Sequence, residues 1–344
     1  MDILVDDVGS FPLPPHVDDK MYGGAYRHAR EVIVNGKDIG KEASLSTFSQ
    51  VVIDSFRKKV EAGLDVTNYP QYYDMHRQVA DVIRESMKQG TYSVDEREAI
   101  LPEVSVIGSE AKNLYEETDK TLQLRVCVIG PMELYLKELG TKVYQDILQM
   151  FADNVKRFAK NSILTNKYVK TVAVSLDEPS FGFQEVSAER DTILDTLERA
   201  FDFTGVVKQI HLHSPSKVSD ILSVKNVDVV SLEYAASPRN IGAISRKMLD
   251  EADKQIRVGI SRTDINSIMA ELYDKGITKP AAYQIVESEE TIQKRFEAAW
   301  VKYGDRMTFT GPDCGLGGWP TQEAAQLLLE RTVDVVKRAK TRSA

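Results

Sequence analysis

The stretch "VKQIHLHSPS", residues 207–216, places His211 and His213 on alternate positions of an apolar run, in a chain with only five histidines among 344 residues. On a β-strand, residues i and i+2 face the same side, so the two imidazoles are expected next to each other. Such a pair suits a metal ion or a buried polar patch. Two further residues favour the metal. Glu233 ends the apolar run "VVSLEY", where a buried carboxylate needs a cation or hydrogen-bond donors. Cys314 lies among glycines in "GPDCGLGG", a turn rather than a packed helix. Zinc takes imidazole, thiolate and carboxylate ligands, usually four in a tetrahedron. His211, His213, Glu233 and Cys314 make such a set, whereas Cys127, in the middle of "RVCVIG", reads as core.

Zinc in that set supports two chemistries. It can activate water for hydrolysis, or it can bind a substrate thiol, lower its pKa from about 8.5 and hold a nucleophilic thiolate. The residues alone leave both open. Other mechanisms lack their parts: the sequence has no G-x-S-x-G elbow, no P-loop lysine motif and no G-x-G-x-x-G after a strand.

These residues need a scaffold. β-Branched runs at 3–11, 64–68, 124–130, 171–176, 207–213, 227–234, 256–261 and 307–312 read as strands. Stretches such as "STFSQVVIDSFRKKVEAG" carry apolar residues at helical spacing between them. Eight strand–helix units predict an α/β fold, a single (β/α)8 TIM barrel over residues 1–344, with its active site at the C-terminal ends of the strands. Ser10, Asn68, Asp177, Glu178, His211, His213, Glu233, Asp313 and Cys314 all fall at those ends. Residues 12–40, with "PLPPHVDD" and "YGGAY", are long for a connection and are expected to cap one rim.

Composition narrows the partners. The chain is 42% apolar and 28% charged, as soluble globular proteins are. A net charge of −8 argues against nucleic acid or an anionic membrane as the main partner. No apolar run approaches about 18 residues, and "MDILVDDVGS" lacks the basic start of a signal peptide. Two cysteines make no disulfide framework, so a reducing, cytoplasmic location is expected.

With "VGSFP", "GLDV", "IGPMEL", "SLDEPSF", "IHLHS", "VVSLEY" and "GPDCGLGG" in this order, the chain resembles the C-terminal catalytic half of cobalamin-independent methionine synthase. The resemblance covers nearly the whole chain and is to the short "core" forms of archaea and some bacteria, which lack the N-terminal barrel. "PDCGLGGWP" and the DEP motif are its most specific pieces. It implies a zinc-containing (β/α)8 barrel that transfers a methyl group to the sulfur of homocysteine, giving methionine. The implied zinc ligands are His211, Glu233 and Cys314, with His213 where the family carries the cysteine of His-x-Cys. An imidazole in place of a thiolate leaves the site less negative and the metal a stronger Lewis acid. Ser10 corresponds to the loop whose backbone holds the homocysteine carboxylate, and Asp177 to the aspartate that holds the amino group. Gln71 falls where a second carboxylate for that amine is expected, and a neutral amide pairs less well with an ammonium group. Tyr69, Tyr72 and Tyr73 read as surface packing, with an aromatic wall as the alternative.

The resemblance also bears on the methyl donor. Folate-dependent members use a histidine after "VG" on the seventh strand to deliver a proton. Here, in "RVGISRTDINS", Asp264 stands in its place and is the candidate catalytic residue. A folate nitrogen must be protonated to leave, whereas Co(I) leaves methylcobalamin without a proton. The expected donor is therefore methylcobalamin or a methylated corrinoid protein. Methyltetrahydrofolate as donor, or another thiol such as coenzyme M as acceptor, are the alternatives; a barrel that only docks a corrinoid protein is the non-catalytic one.

Overall fold

The structure, a computed structural model, describes residues 1–184 and 187–342. Its strands are β1 (Leu4–Val5), β2 (Thr67–Asn68), β3 (Leu122–Ile129), β4 (Val169–Asp177), β5 (Val207–Leu212), β6 (Val229–Leu232), β7 (Gln255–Ser261) and β8 (Met307–Pro312). All pair in parallel, in the order β1-β8-β7-β6-β5-β4-β3-β2. A parallel bridge between Asp6 and Val66 joins the two ends. There the N–H groups of Asp65 and Val66 donate to the Val5 carbonyl at 2.9 and 3.1 Å. The sheet is thus an eight-stranded α/β barrel, as the alternation of strand and helix patterns implies.

The strands are shorter than their apolar runs at the sites of interest. The run 3–11 is strand only over Leu4–Val5, and further along it Gly9 takes φ +148° and turns the chain. A Cβ there would lie 2.8 Å from Cys127 Sγ and from Gln71 Oε1, so the position requires glycine. The run 227–234 ends as strand at Leu232, which leaves Glu233 just beyond it.

Helices cover the outside in the usual amphipathic manner. Helix Gln322–Arg342, for example, buries Ala325, Leu328, Leu329, Thr332 and Val336 on one stripe. Within residues 12–40 lies helix Asp19–Val34, opened by the Asp18 side chain accepting from the Met21 N–H. It buries Tyr22 and Tyr26 against Phe48, Tyr72 and Tyr73. The Tyr22 hydroxyl donates to Glu103 at 2.7 Å, and Tyr26 stacks on Tyr73 at 4.2 Å. Tyr69 and Tyr73 are therefore buried rather than at the surface, contrary to their sequence reading. This added helix covers Tyr73, and the Tyr69 hydroxyl turns inward to the Cys127 carbonyl.

The barrel interior is stacked in levels contributed by alternate strands. Val66, Ala173, Val229 and Phe309, from the even-numbered strands, form an apolar plug at the bottom. Above them come Asp6, Arg125, Gln209 and Arg257 from the odd strands, all fully buried. Asp6 accepts from Arg125 Nη1 at 3.1 Å and from Arg257 Nε at 2.6 Å. Close by, Lys59 reaches inward to Asp7 at 2.5 Å and to the Gly9 and Asn68 carbonyls at 2.7 Å. Removing one partner from a buried ion pair leaves an uncompensated charge, typically at a cost of about 3–5 kcal/mol. Asp6→Ala, which strands two guanidiniums, is therefore expected to destabilise the fold by at least that order, read as a lower urea midpoint.

Candidate functional site

The C-terminal ends of β5, β6 and β8 bring His211, His213, Glu233 and Cys314 together. One ligand atom from each lies within 4.8 Å of the others. His213 Nε2 is 3.5 Å from Glu233 Oε1 and 3.5 Å from Cys314 Sγ. The two imidazoles, on alternate positions of one strand end, meet edge to face with centroids 5.3 Å apart. His211 Nδ1 faces the Ser231 hydroxyl at 3.0 Å, while its Nε2 is buried without a hydrogen-bond partner. A nitrogen in that state is what a metal-ligating imidazole presents once its other nitrogen is fixed.

The charge state agrees with the geometry. Burial, with the His213 ring and the guanidiniums of Arg257 and Arg125, drives the His211 pKa well down, so its imidazole is neutral. Burial also lowers His213. Glu233 is pushed up to about 8, first by burial and then by the carboxylates of Asp313 and Asp264. Burial, with Glu233 as the next contribution, takes the Cys314 thiol to about 12. Two neutral imidazoles, a carboxyl and a thiol, with no lysine or arginine among them, form a donor set that lacks a cation. The residues fit zinc.

The substrate residues inferred from the sequence divide into two groups. Ser10 and Gln71 line one cavity of about 560 Å³, with Phe11, Tyr72, Arg77 and Gly317 among its walls. Ser10 is tied to the Cys314 loop: its hydroxyl accepts from the Gly317 N–H at 3.1 Å and its carbonyl from the Leu316 N–H at 2.7 Å. A Cβ on Gly315 would lie 2.2 Å from the Ser10 hydroxyl, so the glycines of "CGLGG" permit this approach. Gln71 takes φ +46° and turns its amide toward the Tyr69 hydroxyl at 3.4 Å. Asp177 pairs in register with His211 and contributes to raising the Cys314 pKa, which places it beside the four-residue cluster. It accepts from Ser175 at 2.7 Å, and burial raises it to about 6.

Asp264 faces the cluster closely enough to raise Glu233. Its own carboxylate is bound by Arg262 at 2.9 and 2.7 Å. Burial pushes its pKa up, but the Arg262 hydrogen bonds and charge more than offset this and hold it below the usual carboxylate range. An aspartate in that state carries no proton to donate at neutral pH.

Sequence reasoning gave no role to Asn240, which donates to the backbone of two residues of the cluster, or to Arg262. It placed Glu178 at a strand end without a role. Glu178 is fully buried under Gly130 and accepts the N–H groups of Met132 and Glu133 at 2.9 and 2.6 Å. Burial outweighs those bonds and, helped by Glu133 and Asp177, raises its pKa to about 8. A group protonated more readily in the folded state stabilises the protein at low pH and loses that contribution as pH rises through the folded value. The stability advantage of the native protein over Glu178→Gln is thus expected to shrink between about pH 5 and pH 9, measured as the difference in Tm.

Fold and site together define an α/β barrel with a candidate zinc centre at the strands' C-terminal mouth. Among solved structures, the chain is similar to a B12-independent methionine synthase from a Shewanella species in complex with selenomethionine. The TM-score is 0.60 at 12% identity, over 99% of each chain. A methyltransferase from Methanosarcina mazei aligns at 0.48 with 12% identity, over 96% of this chain and 94% of that one. The homocysteine methyltransferase MmuM from Escherichia coli, in its apo form, aligns at 0.46 with 11% identity, over 96% of each. At such identities the likeness is one of fold. No family model and no curated protein matches the sequence. Among the described residues, no helix is long and apolar enough to cross a membrane.

Proposed function

We propose that the protein is a zinc-dependent methyltransferase that methylates the thiol of homocysteine to give methionine, with methylcobalamin or a methylated corrinoid protein as donor. The observation that carries the reading is the convergence of His211, His213, Glu233 and Cys314 within 4.8 Å around an unpartnered His211 nitrogen. The whole-length likeness of fold to a methionine synthase holding selenomethionine supports it.

Zinc, when bound by those four residues, lowers the pKa of an acceptor thiol and keeps it as a thiolate at neutral pH. The protein's own residues place the rest of the acceptor. Asp177, beside the cluster, takes its ammonium group, and the backbone of the Ser10 loop receives its carboxylate. Gln71 offers the ammonium group an amide oxygen in place of a carboxylate. The sulfur–carbon bond then forms as the cobalt–carbon bond breaks, and the electron pair stays with cobalt as Co(I). No leaving-group proton is needed, which suits a site in which Asp264, the residue in the place of the expected proton donor, is held ionised by Arg262.

About one zinc per chain is expected, with Cys314→Ser and His211→Ala each losing most of it and His213→Cys keeping it. Full zinc in Cys314→Ser by elemental analysis would overturn the ligand set. Methionine formation is expected with methylcobalamin or a methylated corrinoid protein well above that with methyltetrahydrofolate. The reverse order would sink the donor assignment, and turnover of coenzyme M in preference to homocysteine would sink the acceptor. Asp264→His is expected to leave methylcobalamin turnover nearly unchanged, although positioned acid catalysis is typically worth about 10²–10⁴-fold where a leaving group needs a proton.

A further inference from the structure

Three of the four proposed ligands lie beyond the strands: His213 after β5, Glu233 after β6 and Cys314 after β8. The barrel's hydrogen-bond ladder does not hold them. Two side chains that ligate nothing bridge these strand ends. Asn240 Nδ2 donates to the His213 carbonyl at 3.2 Å and to the Glu233 carbonyl at 3.0 Å. Asp313 accepts from the N–H groups of Tyr234, Ala235 and Ala236 at 2.8, 2.9 and 2.6 Å. Those three residues directly follow Glu233, and Asp313 directly precedes Cys314.

Asn240 thus ties the second ligand to the third, and Asp313 ties the third to the fourth. Both are buried, Asp313 fully. Space for the Asp313 carboxylate exists because Gly259 has no side chain; a Cβ there would lie 2.1 Å from Asp313 Oδ1. The Asp313 N–H donates to the Ser261 carbonyl at 2.9 Å, which anchors this end to β7 as well. With His211 oriented by Ser231, every ligand has a neighbour fixing its ring or its backbone.

We propose that Asn240 and Asp313 are positioning residues that hold the backbones of His213, Glu233 and Cys314 at metal-binding spacing. This rests on the zinc reading above. A carboxamide nitrogen can donate to two carbonyls at once. An aspartate of the same shape cannot, and would set an oxygen against both of them. Partners of this kind typically cost roughly 10–100-fold in metal affinity when removed.

The test measures zinc affinity by competition with a chromophoric chelator, and coordination geometry from the absorption bands of the cobalt(II)-substituted protein. Asn240→Ala is expected to weaken zinc within that range, Asn240→Asp at least as much, and both to shift the cobalt bands. Asp313→Asn is expected to act likewise. Should it fail to fold, the Asn240 pair still decides. Asn226→Ala, which removes a side-chain hydrogen bond donated to the Glu198 carbonyl and lies before the start of β6 rather than after its end, controls for general destabilisation; its Tm is expected to fall with zinc affinity unchanged. Zinc held by folded Asn240 variants as tightly as by the unaltered protein, with the same cobalt spectrum, overturns the positioning role alone. No zinc in the unaltered protein overturns the zinc reading and this inference with it.

Discussion

At the axis of the barrel one carboxylate serves two guanidiniums, Asp6 accepting from Arg125 on one side and Arg257 on the other. Buried charges are costly unless paired, and this arrangement fixes three strands relative to one another. Asp6 also forms the bridge to Val66 that closes the ring. Replacing buried ion sets by apolar residues is often neutral or stabilising, so stability alone does not explain a charged level here. What the level supplies is a polar floor. Asp177 and His211 stand above it, and the two guanidiniums help keep the His211 imidazole neutral, the form that binds metal.

Above that floor the balance of charge reverses. Asp177, Glu233, Asp313 and Asp264 lie at or near the cluster, and each of the first three is raised chiefly by burial. Asp264 is neutralised by Arg262 and Asp313 is met by three backbone N–H groups. Among the described residues Glu233 meets no such cationic or backbone compensation, and Cys314 only the backbone N–H of Gly315; these are the two acidic members of the proposed ligand set. The surrounding carboxylates are met by partners within the chain, whereas Glu233 is raised by burial and like charge alone.

Much of this was legible in the sequence because it follows from short-range periodicity. His211 and His213 share a face because a strand repeats every two residues, and the eight apolar runs marked eight strands. The run lengths misled where the chain leaves the sheet early. Of the run 3–11 only Leu4–Val5 is strand, and the turn at Gly9 is announced only as one glycine in an apolar stretch. Tyr73 looked like a loop aromatic because its cover is a helix some fifty residues earlier, and Tyr69 because its inward turn to the Cys127 carbonyl leaves no mark in the sequence. Asn240 gave no signal at all: its contacts are to carbonyl oxygens, which every residue carries, so nothing in the partner sequence marks them. Arg262 was given no role, because its effect on Asp264 depends on both side chains turning the same way.

The apolar plug of Val66, Ala173, Val229 and Phe309 makes the barrel a well with a floor. Whatever reaches the ligand cluster enters and leaves by the upper rim. A small acceptor whose sulfur lies at the cluster must then be seated before a large donor covers the opening, and the methylated product departs only after the spent donor has moved away. Under the proposed reaction this architecture imposes a sequence on the two partners, acceptor in first and product out last.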